Sequence, residues 1–200
     1  MAKRDFDQLE QYKIGFVEFY IKQFVKENDR ILDVGCGRGQ YRHSTSAFYV
    51  GIDITADDYK EGQRRIVDTL GSARFLPFKE NVFDLIFTVG SFHLFPGPVL
   101  CLKDIYRCLK PGGKFVCFDY TRKTLERFVS PYYETNISCH SVWTGRQLGR
   151  FFRVVGFCDV RWWVPDIKTG YKAKMAHFLS PIYRYVHDFR EGWWVVEGKK

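Results

Sequence analysis

The 200-residue chain has no Cys-x-x-Cys pair among its six cysteines, at positions 36, 101, 108, 117, 139 and 158. Zinc sites and thioredoxin-like redox centres usually need such a pair. The cysteines are therefore expected to serve as small buried hydrophobes, without metal or disulfides. No Gly-Lys-Ser/Thr sequence occurs, which excludes a P-loop. No run of like charges occurs either, and that argues against a nucleic-acid tail. Residues 85–102 carry no Asp, Glu, Lys or Arg, but Pro96-Gly97-Pro98 breaks the stretch, so it reads as strand, loop and helix and no transmembrane segment is expected. The first eleven residues lack the apolar segment of a secretory signal, which makes a cytoplasmic location the expectation. Internal repeats and low-complexity segments are absent.

What is present describes one ordinary soluble domain: 46% hydrophobic and 27% charged residues exclude a disordered or fibrous chain. Two surpluses need explaining, the 18% aromatic content and a net charge of +8 from 31 basic and 23 acidic residues. Residues 161–200 hold 8 basic and 4 acidic side chains, so half of the excess sits in the last fifth. A basic balance bears on association and solubility, not on fold.

Phe6, Leu9, Phe16, Val17, Tyr20 and Phe24 recur at helical spacing and define an amphipathic helix ending by Asn28-Asp29. Strands are predicted at 30–34, 48–54, 65–68, 83–89, 114–119, 157–164 and 193–197. The third is the weakest signal. Only a short helix fits between Gly39 and Gly51. Val99, Leu102, Ile105, Tyr106 and Leu109 mark a helix stopped by Lys110-Pro111-Gly112-Gly113. Thr144 and Gln147 form a capping box for a helix carrying Leu148, Phe151, Phe152 and Val155, ended by Gly156. Steady alternation of strand and helix implies an α/β fold, a doubly wound, mostly parallel sheet of seven strands; the last two strands are expected to pair as an antiparallel hairpin, so that the last strand runs antiparallel. Trp162-Trp163 and Trp193-Trp194 are expected to face each other in the final hairpin, with one indole of each pair on each face.

In such sheets a ligand lies beyond the carboxyl ends of the strands, where strand order reverses. Asp33-Val34-Gly35-Cys36-Gly37-Arg38-Gly39 leaves the first strand, and Asp53 ends the second strand twenty positions after Asp33. Glycines allow close backbone approach, and a carboxylate at the second strand can take both ribose hydroxyls, so the pattern describes a nucleoside site. A dinucleotide fold needs a third glycine at residue 40 or 42, where the chain has Gln40 and Arg42. Hydride transfer thereby loses its main support.

Gly-x-Gly-x-Gly after an acidic strand end resembles motif I of the class I S-adenosylmethionine-dependent methyltransferases, carried here by Ile31-Leu32-Asp33-Val34-Gly35-Cys36-Gly37. The resemblance continues in Gly51-Ile52-Asp53, in Ala73-Arg74-Phe75-Leu76-Pro77-Phe78 with Phe83-Asp84-Leu85-Ile86, and in Tyr106-Arg107-Cys108-Leu109-Lys110-Pro111-Gly112-Gly113. Four such segments in the right order over residues 31–119 agree with one another. The chain is most similar to the small-molecule and glycan-pathway members, of the methyltransferase type 11 kind. The resemblance implies a Rossmann-like fold, one domain over 1–200 with an N-terminal helix at 1–28, a cofactor-binding half at 29–119, and S-adenosylmethionine as methyl donor with S-adenosylhomocysteine as product.

It also implies residue roles. Asp33, Gly35, Cys36 and Gly37 would face the methionine part of the donor, Asp53 the ribose diol, and Ile54 the adenine face. Ser72 and Ala73 occupy the positions where relatives place Asp-Ala against the adenine amine, and Asp68 is an acid near the same edge. Val89 and Gly90 would leave room for the sulfonium methyl. His93, just beyond the fourth strand, is the candidate base for an acceptor that must lose a proton, although relatives carry their histidine one position later, at Leu94 here. His43 and His140 are weaker candidates. The protein chiefly aligns nucleophile, methyl and sulfur.

Two segments exceed the needs of the fold, 120–142 and 165–191, and topology puts both on the substrate side. They interleave Tyr120, Phe128, Tyr132, Tyr133, Tyr171, Phe178, Tyr183, Tyr185 and Phe189 with Arg122, Lys123, Arg127, Lys168, Lys172, Lys174, Arg184 and Arg190. Such walls suit an acidic, sugar-phosphate or aromatic acceptor, and equally an amphipathic cap with a solvated basic face. Residues 170–185 have the composition of an interfacial helix, so a lipid-linked acceptor and peripheral membrane contact stay open. The expected acceptor is a small molecule, glycan-like or lipid-linked. The alternatives are a nucleic-acid methyltransferase and a non-catalytic donor-binding module. Val89-Gly90-Ser91-Phe92 stands where base-amine methyltransferases place a Pro-Pro-aromatic motif, and no Pro-Cys pair occurs, so base flipping is unsupported.

Overall fold

The computed structural model describes residues 2–56, 66–125, 143–165 and 192–200. It is built on a seven-stranded sheet: β1 (Arg30–Val34), β2 (Phe48–Asp53), β3 (Thr69–Leu70), β4 (Phe83–Val89), β5 (Leu109–Tyr120), β6 (Cys158–Trp163) and β7 (Trp193–Lys199). The order is β3-β2-β1-β4-β5-β7-β6, with β7 antiparallel to both neighbours and the remaining pairs parallel. Strand order therefore reverses between β1 and β4, which opens a crevice at their carboxyl ends.

Alternating side chains of β1 and β4 face opposite layers because strand side chains alternate with a period of two. Ile31, Leu85 and Phe87 meet Leu9, Val17, Tyr20 and Ile21 of α1 (Ala2–Phe24). Leu32 and Ile86 meet Cys101, Leu102 and Ile105 of α2 (Pro98–Cys108) on the other face. A short turn, α3 (Arg122–Thr124), follows β5, and α4 (Gly145–Val155) joins the α2 layer. The Thr144–Gln147 capping box closes α4 at its start, satisfying backbone donors that would otherwise lack partners, and Gly156 ends it. Its Phe152 stacks on Phe115 of β5 at 5.2 Å between ring centroids.

Four expectations change. The strand predicted at 65–68 lies later, at Thr69–Leu70. Asp68 stands at its start: its amide donates to the Gly51 carbonyl at 3.0 Å, but its carboxylate, in place of a ladder carbonyl, accepts from the Gly51 amide at 2.7 Å, and the paired register begins with Thr69 opposite Ile52. The fifth strand begins earlier, at Leu109, which pairs with Phe83 before the register shifts to Leu85 opposite Lys114. The tryptophan pairs do not face each other: Trp162 and Trp163 oppose Val196 and Val195, while Trp193 and Trp194 oppose Tyr120 and Asp119. Each pair still divides between the two faces. Cys158 is exposed, whereas Cys36, Cys101, Cys108 and Cys117 are buried and free; Cys139 lies outside the described residues. Among the described residues no helix is long and apolar enough to cross a membrane.

Candidate active site

The loop leaving β1 is tied to β2 by its backbone. The Gly35 and Cys36 amides both donate to the Ile52 carbonyl, at 2.8 and 3.1 Å. Gly35 and Gly37 have φ of +75° and +52°, the left-handed region that glycine enters without a Cβ clash. A side chain at Gly35 would strike Ser91 Oγ at 2.4 Å, whereas one at Gly37 would enter open space. The Gly37 side of the loop is thus open. The Gly37 amide donates to Asp53 Oδ2 at 2.9 Å, so the acid ending β2 stands directly against the glycine loop. Gly37 and Asp53, expected to face different parts of one donor, are thus neighbours in space.

Asp33 lies beneath this loop, fully buried, and its Oδ2 accepts from the Tyr49 hydroxyl at 2.6 Å. Burial pushes its carboxyl up to about 7; the Tyr49 bond opposes this, the Asp53 charge adds to it, and Arg42 opposes it. The Cys36 thiol is pushed up as well, chiefly by burial and then by Asp33, Asp53 and Asp68, which makes it a packing group and not a nucleophile.

On the side expected for adenine, Ile54 is 74% exposed at the end of β2. Leu70, which pairs with Asp53 in the β2–β3 ladder, and Phe75, neither of them predicted, are also exposed, at 62% and 71%. Phe75 was visible in the sequence only as part of the Ala73–Phe78 segment that carries the resemblance. Ala73 is buried, and Ser72 Oγ accepts from the Arg74 amide at 3.2 Å, a local turn bond. Asp68 holds Gly51 and forms an ion pair with Arg42.

At the end of β4, Val89 is partly buried and Gly90 turns with φ of +63°. Its missing Cβ leaves room for two neighbours: an added Cβ would meet Lys13 Nζ at 3.2 Å and Tyr120 Cε2 at 3.2 Å. Lys13, from α1, is only 3% exposed. Its ammonium donates to Tyr120 Oη at 2.6 Å, pairs with Glu10 Oε1 at 2.9 Å and stands 3.9 Å from the Tyr120 ring centre. The Tyr120 hydroxyl donates to Glu10 Oε1 at 2.9 Å. Sequence reasoning missed Glu10 and Lys13, although a lysine between Leu9 and Val17, at a spacing of four, marks a cation on the apolar face of a helix.

His93 is buried beside this cluster. Its backbone amide donates to Asp119 Oδ2 and its Nδ1 lies against Asp119 Oδ1, both at 2.8 Å. The ring meets the edge of Tyr120 at 6.0 Å between centroids. His43 is exposed. His140 and the insert residues Arg127, Phe128, Tyr132, Tyr133, Lys168, Tyr171, Lys172, Lys174, Phe178, Tyr183, Arg184, Tyr185, Phe189 and Arg190 lie outside the described residues. Among the described residues no three His, Cys, Asp or Glu side chains are grouped to hold a metal ion.

Residues 32–117 match the family model for a methyltransferase domain. The chain is similar to a fatty-acid O-methyltransferase of Mycolicibacterium smegmatis, 34% identical over 123 residues, which cover 56% of this chain and 45% of that protein. It is also similar to a demethylmenaquinone methyltransferase of Symbiobacterium thermophilum, 32% identical over 127 residues, covering 56% and 50%. The chain thus spans about half the length of the curated relatives it matches. Among solved structures, phosphoethanolamine N-methyltransferase 2 of Haemonchus contortus, in complex with S-adenosyl-L-methionine, superposes with a TM-score of 0.66 at 20% identity, over 92% of this chain and 52% of that one. At that identity the likeness concerns the fold alone.

Proposed function

We propose that the chain is a class I S-adenosylmethionine-dependent methyltransferase, which the match over residues 32–117 and the two relatives support, and that it methylates a small-molecule acceptor, with the donor seated across Gly35, Gly37 and Asp53. The observation that carries this reading is the meeting of the Gly37 amide with the Asp53 carboxylate at the point where strand order reverses. When bound, S-adenosylmethionine supplies a methyl group on a positively charged sulfur. Asp53 then accepts from the ribose hydroxyls, Gly35 and Gly37 admit the methionine backbone, and Ile54, Leu70 and Phe75 cover adenine with apolar surface. Asp33 and Cys36 support the loop from below, and Ser72 and Ala73 close the adenine edge. Val89 and Gly90 border the space into which the methyl group points.

Asp119 fixes His93 through both carboxylate oxygens, and His93 in turn supports the Tyr120 ring. This arrangement favours a positioning role for His93 over proton acceptance. The activities named for the relatives, a fatty-acid O-methyltransferase and a demethylmenaquinone methyltransferase, support an acceptor with an apolar body, so the lipid-linked reading is preferred to a glycan-like one. The test is transfer of radiolabelled methyl from the donor into fractionated cell extract. Label is expected in the organic phase; label confined to nucleic acid or protein would contradict the proposal.

A further inference from the structure

We propose that Lys13, held over Gly90 by Tyr120 and Glu10, receives an oxyanion of the acceptor, a carboxylate or an ionised acidic hydroxyl, and presents it to the donor methyl. This rests on the donor placement given above.

The first ground is location. Lys13 Nζ lies 3.2 Å from the point where a Gly90 Cβ would stand, at the end of the strand that borders the methyl site. The second is burial. An ammonium that is 3% exposed has lost nearly all of its hydration, and such a charge persists only when partnered. Tyr120 Oη and Glu10 Oε1 take two of its N–H bonds, and among the described residues the third has no protein partner. Glu10 is itself partly exposed, and its carboxylate is shared with the Tyr120 hydroxyl.

The third ground is charge. S-adenosylmethionine brings a sulfonium into the same mouth, where Glu10, partly exposed and shared with the Tyr120 hydroxyl, offsets the Lys13 charge only in part, and two cations close together in a partly dry site repel. An anionic nucleophile between them relieves both. An amine acceptor does the reverse, since its protonated form adds a third positive charge and must shed a proton beside an ammonium. Lys13 thereby keeps an acceptor oxygen ionised, as an adjacent cation lowers the pKa of an acid. No general base is then needed. The oxygen lone pair forms the new C–O bond as the C–S bond breaks with its electron pair passing to sulfur; the anion and the sulfonium become a neutral ester or ether and a neutral thioether.

Calorimetry with sinefungin, a non-reacting donor analogue carrying an ammonium near the sulfonium position, tests this without knowledge of the natural acceptor. Titrations are run alone, with octanoate and with octylamine. Octanoate is expected to tighten sinefungin binding about threefold or more in the wild type, to have no effect in Lys13→Met, and to retain its effect in Lys13→Arg. Octylamine is expected to give no tightening. Octanoate without effect on the wild type, or octylamine acting equally, overturns the proposal whether or not Lys13→Met folds, and so does a Lys13→Met protein that keeps the octanoate effect. A wild type that binds neither sinefungin nor S-adenosylhomocysteine defeats the donor placement instead, a result distinguishable from binding that octanoate leaves unchanged.

Discussion

Asp33 shows how burial turns a single carboxyl into a pH-dependent group. Its folded value of about 7 stands above the ordinary 3.8, so the folded chain holds a proton that the unfolded chain releases between about pH 4 and 7. Stability from this group is therefore full below about pH 4, falls as pH rises to about 7, and is level above it. Asp33→Asn keeps an acceptor for the Tyr49 hydroxyl and removes the ionisable site. It is expected to be more stable than wild type at pH 8 by about 2–4 kcal/mol and to match it near pH 4, as read by urea unfolding at the two pH values. A cationic donor near Asp33 draws the carboxyl back toward its ionised form, so donor affinity in the wild type should rise from pH 6 to pH 8 and that rise should be lost in Asp33→Asn. His93→Gln, by contrast, is expected to lower kcat while leaving the shape of the pH–rate profile intact. Disappearance of one limb of the profile would instead make the imidazole the base. Asp33, Gly37 and Asp53 were legible because each sits at a fixed offset from a strand end. The His93–Asp119 pair was not, since 26 residues separate its members and only the β4–β5 register brings them together.

Helix α4 was readable end to end because its signals are local: a capping box, an apolar stripe and a terminating glycine. Thr144→Ala should cost about 1 kcal/mol in unfolding free energy. Phe152→Ala should cost about 3–5 kcal/mol, because it empties a site packed against both Phe115 and Phe157. Denaturant midpoints compared at constant slope measure both, and a smaller loss for Phe152→Ala than for Thr144→Ala would contradict this packing. β3 was misplaced for the opposite reason. At its start the Asp68 backbone bonds to the Gly51 carbonyl while the Asp68 side chain, in place of a backbone carbonyl, takes the Gly51 amide, and residue propensity holds no trace of that bond. The tryptophan register likewise depends on how β7 threads between β5 and β6, a nonlocal choice.

Across the whole molecule, the parallel strands follow from the alternation of strands and helices, β7 runs antiparallel through its pairing with β5 and β6, and the place expected for a ligand follows from the reversal of strand order. The sheet divides the chain into two apolar layers, and α1 serves both packing and chemistry: Leu9 and Val17 fill a layer while Lys13, between them, reaches the site. Amphipathic periodicity announces the first of these tasks and hides the second. The charge surplus of +8 is not required by a donor that is itself cationic, so one buried cation matters to the acceptor, and among the described residues most of the other basic side chains are exposed. The central claim is that the glycine loop and Asp53 together hold S-adenosylmethionine. Calorimetric titration of wild type and Asp53→Ala with the donor tests it most directly: the wild type should bind one equivalent, and the variant should bind at least tenfold more weakly through loss of charge-assisted hydrogen bonds worth about 1.5–3 kcal/mol. Equal affinity in the two proteins, or no binding by the wild type, would contradict it.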